Sequence, residues 1–194
     1  MSIDRTKYMS HEEAKHLRTV TEARAKADIE AGRVTGVRTW MLVDFVLKTG
    51  LRVSEIVLVQ VENIDLERLF MMVTRLKRKE TKPEPLNIDQ ELAEHIQEYI
   101  VWTGHTEGPL FVGSRGPLTS RGLQQMWQQA IKRAGLPKYL SIHKGRHTLA
   151  VHLLPRTTLR QVQKQLGHLD PKTTAMYADI MPEQMREGLR GLYD

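Results

Sequence analysis

The sequence contains no cysteine and no long uncharged apolar run. The absence of cysteine among 194 residues excludes a disulfide framework, a thiolate metal site and a cysteine nucleophile, and it suits a reducing compartment. The N-terminal stretch MSIDRTKYMSHEEAKHL lacks the apolar core of a signal peptide. No segment approaches the roughly 20 apolar residues that a membrane span requires. These absences predict a cytoplasmic protein that does not enter a membrane.

Linkers, repeats and low-complexity tracts are also missing. A chain of 194 residues is long enough to bury a substantial core without disulfides or structural metals. No Gly/Ser/Pro-rich stretch divides the sequence into two bodies. We therefore expect a single domain over residues 1–194.

Acidic residues are absent from one long part of the chain. Residues 108–169 contain 10 Lys+Arg, four His and no Asp or Glu, whereas residues 1–107 contain 16 Lys+Arg and 18 Asp+Glu. A stretch without carboxylates cannot neutralise itself through local salt bridges, so its field reaches solvent or an anionic ligand. Together with the net charge of +6, this favours a polyanion such as a nucleic acid. A solvated basic face is the alternative.

Apolar spacing and capping residues predict an α+β fold that is mostly helical. Between residues 61 and 88, the β-prone runs VENIDLE, LFMMVTRL and EPLNI predict one small antiparallel three-stranded sheet. We expect Trp40, Trp102 and Trp127 in the core. Helices are predicted after the N-caps Ser10 and Asp89 and over residues 37–48, 51–59, 120–134, 144–154, 158–166 and 172–179.

Arg52 lies just beyond the buried helix over residues 37–48, in an apolar context. A guanidinium is costly there unless it meets an anion. Glu55, three residues later, can be that anion. A buried pair with Glu55 and a contact to a phosphate are both open at this point.

The segment SIHKGRH places two histidines at the spacing of a helical zinc site. Lys144 and Arg146 stand where carboxylates would favour a cation, so we expect no metal. The same cations favour an anionic ligand, for which Arg146 offers bidentate donors and His143 a nitrogen that titrates near neutral pH. An ordinary hydrogen-bonded histidine is the alternative for both His143 and His147.

Several short motifs, in order and with the right spacing, resemble those of the tyrosine recombinase, or phage integrase, family. The segment TGLRVSE resembles the family's first arginine box and its supporting acid. HKGR resembles the His-x-x-Arg box, and LGH is followed nine residues after its histidine by a tyrosine. The matching residues are Arg52, Glu55, His143, Arg146, His168 and Tyr177.

The family also carries a catalytic lysine in a β-hairpin ahead of a Pro-Leu strand. Counting eight residues back from Pro85 reaches Lys77, and the resemblance implies that Lys77 fills this role. Arg78, Lys79 and Lys82 lie in the same hairpin, so the assignment among these basic residues is open.

The resemblance implies a site-specific DNA recombinase that uses neither metal nor cofactor. Tyr177 would be the nucleophile and His143 its base, with Lys77 protonating the leaving 5′ oxygen. Arg52, Arg146 and His168 would stabilise the phosphate, with Glu55 supporting Arg52. A topoisomerase of type IB and a non-catalytic DNA-binding accessory protein are the alternatives.

The resemblance further implies double-stranded DNA with a specific target site as partner, and self-association on DNA as a dimer or tetramer. The family's separate N-terminal core-binding domain is expected to be absent, and residues 182–194 are expected to dock in trans. The expected DNA contacts are Lys79, Arg121, Gln124 or Gln125, and Lys144.

Overall fold

The computed structural model describes residues 5–76 and 83–167, which form a mostly helical fold with one small sheet. The helices are α1 His11–Glu30, α2 Thr35–Thr49, α3 Val53–Ile56, α4 Gln90–Thr103, α5 Ser120–Arg133, α6 Ile142–Leu153 and α7 Leu159–Leu166. The strands are β1 Ile64–Asp65, β2 Phe70–Thr74, β3 Pro83–Asn87, β4 Val112–Gly113 and β5 Gly116–Pro117. The predicted α+β class is confirmed. Within the described ranges no helix has both the length and the apolar character to cross a membrane.

Helix α2 is the centre of the core. It packs against α1, α4, α5 and α6, because its apolar residues fall on every side rather than on one stripe. Met41, Phe45 and Val46 are fully buried. The helix ends at Gly50, whose φ of 62° is left-handed, as the Thr-Gly pair predicted. The predicted buried helix over residues 37–48 is confirmed.

The three-stranded sheet is antiparallel in the order β1-β2-β3. Met71 and Val73 of β2 and Leu86 of β3 turn one face of the sheet into the core. β3 contains two prolines, which lack a backbone donor and are tolerated because the strand lies at an edge. β2 and β3 flank residues 77–82 in the chain, the segment in which the catalytic lysine is predicted.

Two sequence predictions are wrong. The helix expected over residues 51–59 spans only Val53–Ile56, because Arg52 is extended and serves as the N-cap. Trp102 is 47% exposed in the last turn of α4, whereas Trp40 and Trp127 are buried as expected. The short β4–β5 hairpin was not predicted from the sequence. The helix predicted over residues 172–179 lies outside the described residues.

The N-terminal segment of residues 6–9 lies along α6. We call this segment the N-terminal strap. Three side chains of α6 bind its backbone: Lys144 Nζ donates to Thr6 O at 2.7 Å, Thr148 Oγ1 accepts from Met9 N at 2.9 Å, and His152 Nε2 lies 3.1 Å from Met9 O. Met9 is also fully buried. The strap is therefore part of the folded domain.

Candidate active site

Glu55 is a buried carboxylate at the start of α3. One of its oxygens accepts from Arg52 Nη1 at 2.9 Å. The other accepts from the Arg52 backbone N–H at 3.0 Å and from Arg75 Nη1 at 3.2 Å. The Glu55 side chain has no exposed surface, whereas the Arg52 side chain is 19% exposed. The predicted pair therefore forms, and the Arg52 side chain still reaches the surface.

Glu55 is ionised at neutral pH despite its burial. Burial alone would raise the pKa of Glu55. The hydrogen bond from the Arg52 backbone and the charges of Arg75 and Arg52 outweigh that effect and hold the pKa below its ordinary value. Glu55 consequently acts as a fixed negative charge that orients two guanidinium groups.

Arg75 is a second buried guanidinium, and its residue is only 1% exposed. Besides Glu55, it donates from Nε to Glu84 Oε1 at 2.9 Å and from Nη2 to the carbonyl of Gln165 at 2.8 Å. The backbone of Gly167 lies directly against it, since a Cβ there would come within 2.7 Å of Arg75 Nε. Arg75 thus joins the end of β2, the start of α3 and the end of α7.

Arg75 is not among the site residues predicted from the sequence. It lies in the run TRLKRK, which resembles an exposed basic loop. Alternation along β2 could have identified it, because Met71 and Val73 point into the core and residue 75 continues the same period of two. An arginine at an inward position of a strand predicts a buried anionic or carbonyl partner.

Arg146 is held by the ends of two helices. Its Nη1 donates to the carbonyl of Gly50 and its Nη2 to the carbonyl of Leu166, each at 2.6 Å. The residue is 3% exposed. The preceding Gly145 allows this depth, because a Cβ at that position would lie 2.7 Å from Val46 Cγ1. A larger residue at position 145 would push α6 away from α2.

The carboxyl end of α7 is where the motifs meet. Arg75 binds the carbonyl of Gln165 and Arg146 binds the next one, that of Leu166. Cations at this position complement the negative end of the helix dipole. Gly167 then ends the helix with a left-handed φ of 63°. The structure therefore brings the Thr-Gly-Leu-Arg box and the His-x-x-Arg box together at Leu166, two residues before His168 in the sequence.

The two histidines of the His-x-x-Arg box differ in environment. His143 is exposed on α6, and its ring lies edge-on to that of His147 with a centroid distance of 4.7 Å. Burial, together with the charges of His143 and Arg146, lowers the pKa of His147 to about 4. His147 is therefore neutral at neutral pH. Within residues 5–76 and 83–167, no three His, Asp or Glu side chains come together as metal ligands.

The remaining predicted residues lie outside this cluster. Arg121 and Gln124 are exposed on α5, on the side opposite the buried Leu123 and Trp127. Lys144, besides its bond to the strap, lies 4.6 Å from the centre of the Tyr139 ring. Their DNA contacts stay predictions. Lys77, Lys79, His168 and Tyr177 lie outside the described residues.

Comparison with known proteins agrees with this arrangement. Residues 7–184 match the sequence model of the phage integrase family. Tyrosine recombinase XerC of Staphylococcus haemolyticus is 32% identical over 157 residues, which cover 78% of this chain and 52% of XerC. The chain thus spans about half the length of the curated relatives it matches.

Solved structures share the fold. The XerH site-specific recombinase bound to palindromic difH substrate matches with a TM-score of 0.72 at 20% identity, over 96% of this chain and 53% of XerH. The catalytic domain of bacteriophage HP1 integrase matches with a TM-score of 0.65 at 20% identity, over 95% of this chain and 94% of that domain. The fold and the family match agree with the resemblance seen in the motifs, and the chain belongs to the phage integrase family.

Proposed function

We propose that this chain catalyses site-specific DNA recombination by cleaving and rejoining DNA through a 3′-phosphotyrosine at Tyr177. The observation that supports this most directly is that Arg75 and Arg146, from separate elements, bind adjacent carbonyls at the end of α7, while Glu55 joins Arg52 to Arg75. The cluster therefore carries three guanidinium groups. Arg52 and Arg75 bind the buried Glu55, and Arg75 also binds the less buried Glu84. Guanidinium groups held in fixed directions suit a phosphate ligand.

Arg52 and Arg146 would bind the non-bridging oxygens of the scissile phosphate. Their hydrogen bonds would strengthen as negative charge grows in the pentavalent transition state. Both groups are oriented in advance: Glu55 holds Arg52, and two backbone carbonyls hold Arg146. A guanidinium has five N–H donors, so such bonds can orient it while a phosphate oxygen accepts another. His168 would add a further donor.

Two proton transfers accompany the exchange of bonds. The Tyr177 phenol has an ordinary pKa of about 10, so it needs a base, a role we assign to the exposed His143. The Tyr177 oxygen bonds to phosphorus as the bond to the 5′ oxygen breaks. Lys77 would give that oxygen its proton. Attack by a 5′-hydroxyl reverses the step, and since the phosphotyrosine conserves the bond energy, no ATP is needed.

The partner is proposed to be a DNA duplex with a specific site, bound by two or more copies of the chain in the cytoplasm. The stretch without carboxylates, residues 108–169, supplies positive charge for the backbone. Arg121 and Gln124 on the exposed side of α5 are placed to contact DNA. The relative XerH binds a palindromic substrate, and two equivalent half-sites suit two equivalent protein copies.

The test is covalent trapping of the nucleophile. The chain is incubated with nicked duplexes that release the 5′-hydroxyl fragment, with a chelator present, and products are separated under denaturing conditions. We expect an adduct that Tyr177→Phe abolishes. Tyr139→Phe is the matched control, because Tyr139 is an exposed tyrosine outside the proposed machinery, and it should form the adduct at the wild-type rate.

Other outcomes identify the alternatives. An adduct in Tyr177→Phe would refute the assigned nucleophile. Relaxation of supercoiled DNA that contains no target site would favour a topoisomerase. DNA binding without an adduct on any member of a broad sequence pool would favour an accessory protein.

A further inference from the structure

Arg75 is the one residue whose side chain contacts three separate parts of the candidate site within the described ranges. It touches Glu55, which orients Arg52, and Glu84 of β3. It also binds the carbonyl of Gln165 and lies against Gly167. Each of its three guanidinium nitrogens donates to a protein acceptor, and the residue is 1% exposed.

We propose that Arg75 is a positioning residue for strand cleavage, an inference that rests on the proposed function. Through Glu55 it fixes the direction of the Arg52 guanidinium. Through Gln165 and Gly167 it fixes the end of α7, from which His168 follows. Arg75 therefore sets the distance between the two phosphate-binding sides of the site while contacting no substrate atom.

A purely structural role explains these contacts less well. Met71 and Val73 pack the inward face of the same strand with apolar side chains, which stabilise a core without the desolvation cost of a guanidinium. The planar fork of arginine instead reaches partners in fixed directions, and a lysine cannot reproduce this geometry. Position 75 therefore holds a guanidinium that is costly to bury and that contacts three segments of the chain. These contacts suit a residue that orients the groups of the site.

The first measurement is single-turnover cleavage at saturating DNA, with DNA affinity measured separately. We expect Arg75→Gln to slow cleavage by about a hundredfold, the scale of a 1 Å misplacement, while DNA affinity stays unchanged. Arg75→Lys should recover only part of the rate. Arg18→Gln is the matched control, because it also removes a guanidinium from a buried carboxylate, that of Asp44, at 2.6 Å. It should leave the cleavage rate unchanged.

A double-mutant cycle separates positioning from general destabilisation. If Arg75 acts through Arg52, then Arg75→Gln should slow an Arg52→Ala enzyme much less than it slows the wild type, because residues that act as a unit are not additive. If the double variant instead slows cleavage by the product of the two single-variant factors, the proposal is overturned. Wild-type cleavage by Arg75→Gln, or an equal loss in Arg18→Gln, would also overturn it.

A second readout does not depend on cleavage and so distinguishes this inference from the proposed function. Amide hydrogen exchange of the DNA-free protein should increase in Arg75→Gln for peptides that cover residues 52–56 and 164–167, with no increase in α1. Unchanged exchange in both peptides would refute the positioning role, whatever the trapping experiment shows. If the wild-type chain forms no Tyr177-dependent adduct, the proposed function is refuted, whereas the exchange result still stands as evidence on the contacts of Arg75.

Discussion

Replacement of Glu55 by glutamine tests whether the buried charge cluster is built as described. The carboxylate accepts three hydrogen bonds, two from Arg52 and one from Arg75. Glutamine keeps the shape but has one acceptor oxygen, and its NH2 group would face an arginine donor. The substitution therefore leaves two guanidinium groups without their shared counter-charge.

The expected cost follows from the burial of the pair. Removing one partner of a buried ion pair destabilises proteins by about 3–5 kcal/mol. Because glutamine retains one acceptor, we expect the lower end, about 3 kcal/mol at pH 7. With a urea dependence of about 2 kcal/mol per M, the midpoint of unfolding falls by about 1.5 M.

The cost should depend on pH in a defined direction. Folding lowers the pKa of Glu55, so its stabilisation is fully present above the unfolded pKa of about 4.3 and is lost as the pH falls through the folded value. The difference in the free energy of unfolding between the wild type and Glu55→Gln should therefore be constant from about pH 8 to about pH 5. It should become smaller as the pH falls further.

Urea unfolding followed by circular dichroism across this pH range measures the effect. Glu22→Gln is a suitable control, because Glu22 pairs with Lys26 on the exposed surface of α1, and it should leave the midpoint unchanged. A Glu55→Gln midpoint equal to that of the wild type at pH 7, or a loss that stays constant through acid pH, would refute the buried-carboxylate reasoning.

Three further predictions follow from packing and titration. Gly145→Ala should lower the free energy of unfolding by about 1–3 kcal/mol through overpacking, since the added Cβ would lie 2.7 Å from a neighbouring side chain. Gly122→Ala is the control, because its added Cβ would have its nearest atom at 3.6 Å, and it should be at least as stable as the wild type in thermal melts. The hydrogen bond between His95 and Asp44 raises the pKa of His95 in the folded protein. The stabilisation that this bond gives the fold is therefore full below the unfolded pKa of about 6.5, and it is lost as the pH rises through the folded pKa. His95→Gln should then lower the melting temperature more at about pH 6 than at about pH 9, and an equal loss would contradict this. Burial lowers the pKa of His147 to about 4, so its imidazole NMR signals should not titrate between about pH 6 and 8.

The sequence predicted well those features that depend on neighbours in the chain. The Gly50 terminus of α2 and the pairing of Arg52 with Glu55 need only a few consecutive residues. The family motifs are equally local, which is why they can be recognised one at a time. The tertiary structure adds that Arg146 binds the carbonyl of Gly50, which is 96 residues away.

The features that the sequence analysis missed depend on distant partners. Arg75 is buried because Gln165, 90 residues later, supplies a carbonyl, and no local pattern contains that partner. Trp102 is spaced three residues from the buried Tyr99, yet it lies on the surface. Helical period alone does not reveal whether another element covers the last turn of α4.

The N-terminal strap bears on how freely this region can vary in sequence. Its polar bonds to α6 involve the carbonyl of Thr6 and the amide and carbonyl of Met9, which every residue other than proline can offer. Side-chain identity is restricted at Met9, which is fully buried, and at Tyr8, which packs against the apolar cluster of α6 and α7. Spacing is restricted more strongly, because one inserted residue between positions 6 and 9 would shift Thr6 O away from Lys144. Insertions and deletions between positions 6 and 9 should therefore destabilise the domain more than substitutions that keep an apolar side chain at position 9.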